Sequence, residues 1–110
     1  MRGRRVLWPG VALACVVGTA LADEPAPARQ AELVRLVRQD CGSCHGMTLK
    51  GGLGPPLVAG ALGDKPAESL KYTILYGRPG TPMPPWRNFL TEADAEWIAA
   101  RLLEGFPDAR

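Results

Sequence analysis

The chain has 110 residues, room for one small domain. It carries 13 Lys and Arg against 11 Asp and Glu, a formal charge of +2. Three of those cations, Arg2, Arg4 and Arg5, sit at the very start. Without residues 1–22 the balance becomes 10 basic against 11 acidic groups, a net charge of −1, which excludes an electrostatic case for nucleic-acid binding.

In chain order, the first segment reads as an export signal. Arg2, Arg4 and Arg5 form a positive head, Val6 to Leu21 an apolar stretch broken by Pro9, and Ala20-Leu21-Ala22 a small-x-small site before Asp23. The apolar run is about 16 residues, short of the roughly 20 a spanning helix needs. A retained anchor is therefore the lesser reading. A lipoprotein signal at Cys15 would rest on Ala12-Leu13-Ala14, a poor lipobox, and Arg4-Arg5 lacks the surroundings of a twin-arginine signal. The expectation is a signal peptide over residues 1–22, cleaved after Ala22, and no membrane span in the mature chain.

Residues 23–28 are Pro/Ala-rich and read as a flexible segment, and residues 29–110 as the domain proper. Leu33, Leu36 and Val37 give the apolar face of a first helix running from about Arg29 to Asp40. Residues 46–63, rich in Gly and Pro, read as a loop. Asp64-Lys65-Pro66 resembles a helix start with Pro in the first turn; Leu70, Ile74 and Leu75 supply its apolar face and Gly77 its end. A second loop runs from Arg78 to Pro85. Thr91 is the N-cap of the last helix, with Glu92 and Asp94 in its first turn, Trp97, Ile98 and Leu102 on its apolar stripe and Gly105 closing it. There is no strand alternation, repeat or domain boundary. The prediction is an all-α domain of three main helices with two long Gly/Pro loops. Roughly 88 residues in three short helices make a thin core, and structureless loops of about 15 residues usually serve a ligand. A large apolar cofactor would supply the missing core.

Cysteine usage names that cofactor. Cys15 belongs to the leader, so Cys41 and Cys44 remain. A C-x-x-C pair serves a redox disulfide, half a zinc site or haem attachment, and the next residue, His45, decides. In Cys41-Gly42-Ser43-Cys44-His45 two thiols one short turn apart can add to the two vinyl groups of haem, and the adjacent imidazole then reaches the iron. Zinc would need further ligands, but no other Cys or His follows the leader. A thioredoxin-like site would need a βαβ pattern. The expectation is one covalent haem c on Cys41 and Cys44, with His45 on the iron.

The second axial ligand emerges by elimination. There is no second histidine; Met1 leaves with the leader; Met47, two residues from His45, cannot cross to the opposite haem face. Met83 lies in Gly80-Thr81-Pro82-Met83-Pro84-Pro85-Trp86, where flanking prolines stiffen the loop. A gap-filling Met83, a Lys ligand and an open sixth position are the alternatives. Pro55, in Gly54-Pro55-Pro56-Leu57, is the candidate carbonyl acceptor for the other ring N–H of His45, a plain turn being the alternative. Leu57 in the same run is a candidate to pack on the haem. Trp86 packs on the haem edge, meets a partner, or is simply core. Tyr72, Tyr76, Arg78 and Lys50 are weaker candidates, read first as ordinary half-buried or surface residues.

Together these residues resemble class I cytochrome c over residues 29–105. Gly51-Gly52-Leu53-Gly54-Pro55 and the run from Tyr72 to Trp86, above all from Gly77 onward, are similar to the small cytochrome c-55X, NirC-like family encoded with cytochrome cd1 nitrite reductase. The resemblance implies a class I cytochrome c fold and a periplasmic, non-enzymatic single-electron carrier. It also implies service to cd1 nitrite reductase, as electron donor or in haem d1 formation or insertion. A peroxidase-like enzyme would need an exchangeable sixth site, against which Met83 argues. In one departure, Arg101 stands where many class I proteins place an aromatic; Trp97 is the candidate substitute.

Overall fold

The computed structural model describes residues 3, 5–15 and 24–106. The expected cleavage site at Ala20-Leu21-Ala22 lies outside them. Val6, Leu7, Trp8, Val11 and Leu13 are each at least 77% exposed, and none joins the core. Among the described residues there is no strand, and no helix is long and apolar enough to cross a membrane.

The first helix, α1 (Pro27–Leu36), begins earlier than the expected Arg29, so the tail of the supposedly flexible segment is already helical. Pro27 stands in the first turn, where a missing N–H costs nothing. The Gln30 side chain fastens that turn by donating to the Pro25 carbonyl at 2.8 Å. Nor does the helix end at Asp40. The backbone continues through a π-helical stretch (Val37–Cys41) into α2 (Gly42–His45). Leu33 and Val37 are buried, whereas Cys44 in α2 is exposed, and π turns gather at functional sites.

The loop after His45 holds two features its composition conceals. Leu49 adopts φ +60 yet is buried, and its carbonyl accepts the Leu57 N–H at 2.8 Å. Burial of the leucine offsets a left-handed backbone cost of about 1–2 kcal/mol. Ala59–Leu62 then form a short helix, α3, which seats Leu62 in the core. The next helix, α4 (Ala67–Tyr76), starts later than Asp64. Pro66 is extended at the N-cap (ψ 137°) rather than helical in the first turn, and no side chain caps this end.

The last helix, α5 (Glu92–Glu104), starts as its residues dictate. The Asp94 N–H donates to Thr91 Oγ1 at 3.0 Å, and the Thr91 N–H donates to Asp94 Oδ2 at 3.1 Å. This reciprocal cap satisfies two donors the helix cannot. Leu33 and Val37 of the first segment, Leu75 of α4 and Trp97, Ile98 and Leu102 of α5 form one core. Trp97 is buried, and the Arg101 guanidinium lies 5.8 Å over its ring, so the aromatic and the cation share the space.

Asp94 has a second task. Arg29 of α1 donates to its Oδ2 through Nη2 at 2.9 Å and Nε at 3.3 Å, and to the Phe89 carbonyl at 3.0 Å. Burial alone would push the Asp94 carboxyl up, but the bonds from Arg29 and Thr91 outweigh it and hold the pKa below the usual carboxylate value. A carboxyl depressed in the folded state contributes stability above its unfolded pKa of about 3.9, and loses it as pH falls through the folded value. Asp94→Asn should therefore cost about 2 kcal/mol at neutral pH. Thermal melts across the acid range should show the gap to wild type closing below about pH 4; equal melting temperatures at pH 7 would show the pair to be idle.

Candidate haem site

The site is built on the turn from α2 into the loop. His45 closes α2, and Gly46 turns the chain back at φ +90. The loop is then laced to the motif: the Gly51 N–H donates to the His45 carbonyl and the Gly54 N–H to the Cys44 carbonyl, both at 2.8 Å. Its next carbonyl, that of Pro55, lies 2.7 Å from His45 Nδ1. A carbonyl can only accept, so Nδ1 carries the proton and Nε2 keeps its lone pair for a metal.

That approach requires glycine. A Cβ on Gly54 would lie 2.7 Å from His45 Cε1 and 2.8 Å from Nδ1, and one on Gly52 2.8 Å from the Cys44 carbonyl oxygen. The backbone thus lies flat against the imidazole. Cys41 is half-buried and Cys44 exposed, and neither is in a disulfide. Burial, aided by the Asp40 charge, pushes the Cys41 thiol up to about 11, so it is protonated at neutral pH.

Met83 sits in a loop clasped to the end of α4. The Arg78 N–H donates to the Met83 carbonyl at 3.3 Å. The Met83 N–H donates to Thr81 Oγ1 at 3.3 Å, and that hydroxyl in turn donates to the Arg78 carbonyl at 2.6 Å. Farther on, the Trp86 and Arg87 N–H groups donate to the carbonyls of Ile74 and Leu75, each at 3.1 Å. Gly77 makes the turn possible: its φ is +69, and a Cβ there would lie 2.7 Å from the Met83 carbonyl oxygen. Met83 is half-buried, whereas Met47 is 63% exposed beside the attachment motif.

Leu57, Leu70, Ile74 and Trp86 pack against the core yet remain half-exposed. They make an apolar wall with one side uncovered. Trp86 also meets Phe89, with ring centroids 5.9 Å apart. Tyr72 and Tyr76 stack on each other at 6.0 Å and stay 44% and 50% exposed.

Known proteins with this arrangement are c-type cytochromes. The family described as "Cytochrome C oxidase, cbb3-type, subunit III" matches residues 28–100. A "Cytochrome c55X" of Pseudomonas aeruginosa is 57% identical over 102 residues, covering 90% of this chain and 85% of the relative. The chain belongs to the cytochrome c55X family of c-type cytochromes. A solved "c-type cytochrome NirC" superimposes with a TM-score of 0.72 at 57% identity, covering 73% of this chain and 94% of that one. A "Dihydro-heme d1 dehydrogenase" of P. aeruginosa is 35% identical over 89% of this chain, which spans 19% of that larger protein.

As a member of this family the cytochrome carries covalently bound haem c. Its residues fit that group. Two thiols outside any disulfide precede an imidazole whose Nε2 is kept free, and a half-exposed apolar wall could receive a flat macrocycle. Cys41 and Cys44 would form the thioethers, and His45 would hold one face of the iron. Bound haem would supply a one-electron iron couple, its potential set by the axial ligands and by burial. The chain fixes the tautomer of His45 and restrains the backbone of Met83, and Leu57, Leu70, Ile74 and Trp86 would keep water from the bound group.

Sequence reasoning named the carbonyl of Pro55 but missed why it can come so close. The signal was present in Gly51-Gly52-Leu53-Gly54, a run read as loop rather than as backbone pressed against a side chain. Gly54→Ala should therefore break the Pro55–His45 contact and destabilise the holoprotein by about 1–3 kcal/mol. Gly60→Ala, whose Cβ meets nothing within 4 Å, should be neutral. Thermal melts of the two variants give the comparison; equal effects would mean that the close approach carries no weight.

Proposed function

We propose that this cytochrome is a periplasmic single-electron carrier whose iron is held by His45 and Met83, with Cys41 and Cys44 as the covalent anchors, and that it serves cytochrome cd1 nitrite reductase as electron donor. One observation carries the reading: Nδ1 of His45 is committed to the Pro55 carbonyl at 2.7 Å, so the imidazole is a fixed iron ligand rather than a mobile acid or base. The restrained loop around Met83 supports the second ligand. A thioether on the sixth position raises the potential and leaves no open site for substrate, as electron transfer between proteins requires. Residues 1–22 act as the export signal, and residues 29–110 are the haem domain.

The surface beside the Met83 loop supports a protein partner. Lys71 lies 5.0 Å over the Tyr72 ring and Arg87 5.7 Å over that of Tyr76, so the stacked tyrosines carry a cation on each. Arg78 is exposed two residues after Tyr76. Neither lysine nor arginine of this group is ion-paired among the described residues. A rigid aromatic surface with unpaired cations suits a carboxylate-bearing partner face. A second reading is a role in haem d1 formation or insertion. It is favoured by the 35% identity to the "Dihydro-heme d1 dehydrogenase".

Ferric wild-type protein should be low-spin, with the weak far-red band of a methionine-ligated haem. Met83→Ala should lose that band, bind carbon monoxide when reduced, and show a lower potential. An unchanged potential would remove Met83 from the iron. To separate the two roles, reduced protein is mixed with mature cd1 nitrite reductase in a stopped-flow instrument. Fast oxidation that slows with added salt is the expected result for a donor. Slow oxidation, with enzyme lacking haem d1 accumulating in a deletion strain, would favour maturation.

A further inference from the structure

Behind the attachment motif lies a cavity of about 130 Å³, bounded by the π-helical stretch, the loop after His45, α3 and the end of α5. Its lining includes two cationic residues, Arg38 and Lys50, the hydroxyl-bearing Thr48 and, among the described residues, no carboxylate. The remaining wall is apolar side chain and glycine, including Leu57 and Phe106. Two cationic residues thus border one cavity with no carboxylate beside them among the described residues, an arrangement that an anion would relieve.

Arg38 makes the case specific. Its Nε and Nη2 are buried with no hydrogen-bond partner among the described residues. These two nitrogens form one edge of the guanidinium, and their N–H bonds point the same way, as a parallel fork. Such a fork takes two oxygens of a carboxylate or phosphate side by side. The guanidinium is also held in place, 5.3 Å from the centre of the Phe106 ring. A buried, oriented and unpaired charged donor edge is costly to leave empty.

We infer that this cavity is a binding site for a small oxyanion, gripped side-on by Arg38 Nε and Nη2 and met by Lys50. The site is distinct from the iron ligands. Arg38 precedes Cys41 by three residues, and neither His45 nor Met83 lines the cavity. Thr48 offers the anion a neutral donor. The apolar walls lower the local dielectric and strengthen both charge contacts.

The test uses ferrous holoprotein, diamagnetic with the proposed His45–Met83 ligation, labelled with nitrogen-15. Inorganic phosphate is titrated at constant ionic strength while the Arg38 Nε–H resonance is followed. That resonance should shift and saturate, with the Lys50 and Phe106 amides moving in step. Sulfate and nitrite, run in parallel, rank the oxyanions. Arg38→Met should abolish the saturable response. Lys50→Gln, at an exposed position whose loss leaves the fold intact, should weaken it by about twofold to fivefold. A linear response without saturation, or one that survives Arg38→Met, would overturn the inference. So would an Arg38 Nε–H that ignores phosphate and changes only in Asp108→Asn, because the chain would then be supplying its own carboxylate. A shift in reduction potential in Arg38→Met, with no phosphate response in wild type, would assign the guanidinium to a haem propionate and equally defeat it.

Discussion

The hydrogen bond between His45 Nδ1 and the Pro55 carbonyl organises this protein. An imidazole rotates freely unless its second nitrogen is engaged, and a rotating ligand gives an iron no fixed geometry. To supply the acceptor, the chain must reverse direction after His45 and bring its backbone against the ring. Gly46 makes the reversal, the Gly51 and Gly54 N–H groups tie the loop to the motif, and the missing side chain of Gly54 allows the contact. The proline has no N–H of its own to satisfy, so the position offers an acceptor and nothing else.

The Met83 loop is held by other means. It has no helix to fix it, so it borrows the end of α4. Backbone bonds from Trp86 and Arg87 to Ile74 and Leu75 fasten one side, and the Arg78–Met83 pairing with the Thr81 hydroxyl fastens the other. Prolines around the methionine reduce the conformations lost on ordering. Both loops are thus tied down largely by backbone hydrogen bonds outside the main helices.

The protein core gathers Leu33 and Val37 of the first segment, Leu62 of α3, Leu75 of α4 and Ile98 and Leu102 of α5, and the Arg29–Asp94 pair ties α1 to the start of α5. Asp94 serves the N-terminus of its own helix and the guanidinium of another at once, so one residue couples local structure to packing. Along Leu57, Leu70, Ile74 and Trp86 the core leaves an apolar face half-exposed.

Much of this was legible in the chain itself. Composition and helical periodicity pointed to an all-α domain with a cofactor. C-x-x-C-H set the attachment chemistry, because vinyl spacing and ligand reach are properties of five adjacent residues. Thr91 as a cap could be read for the same reason, since a capping box closes within four residues. Contacts between distant segments were not legible. Local pattern ended the first helix at Asp40, but core packing carries the helical backbone through a π turn to His45. Leu49 at positive φ, Pro66 outside its helix, Arg29 on Asp94 and the guanidinium of Arg38 at an apolar cavity all depend on neighbours far away in sequence. The sequence by itself determined which atoms can bond a haem, because bonding depends on residue type and short spacing. Only the tertiary structure decided how those atoms are aimed and held, because orientation depends on which backbone comes close enough to touch them.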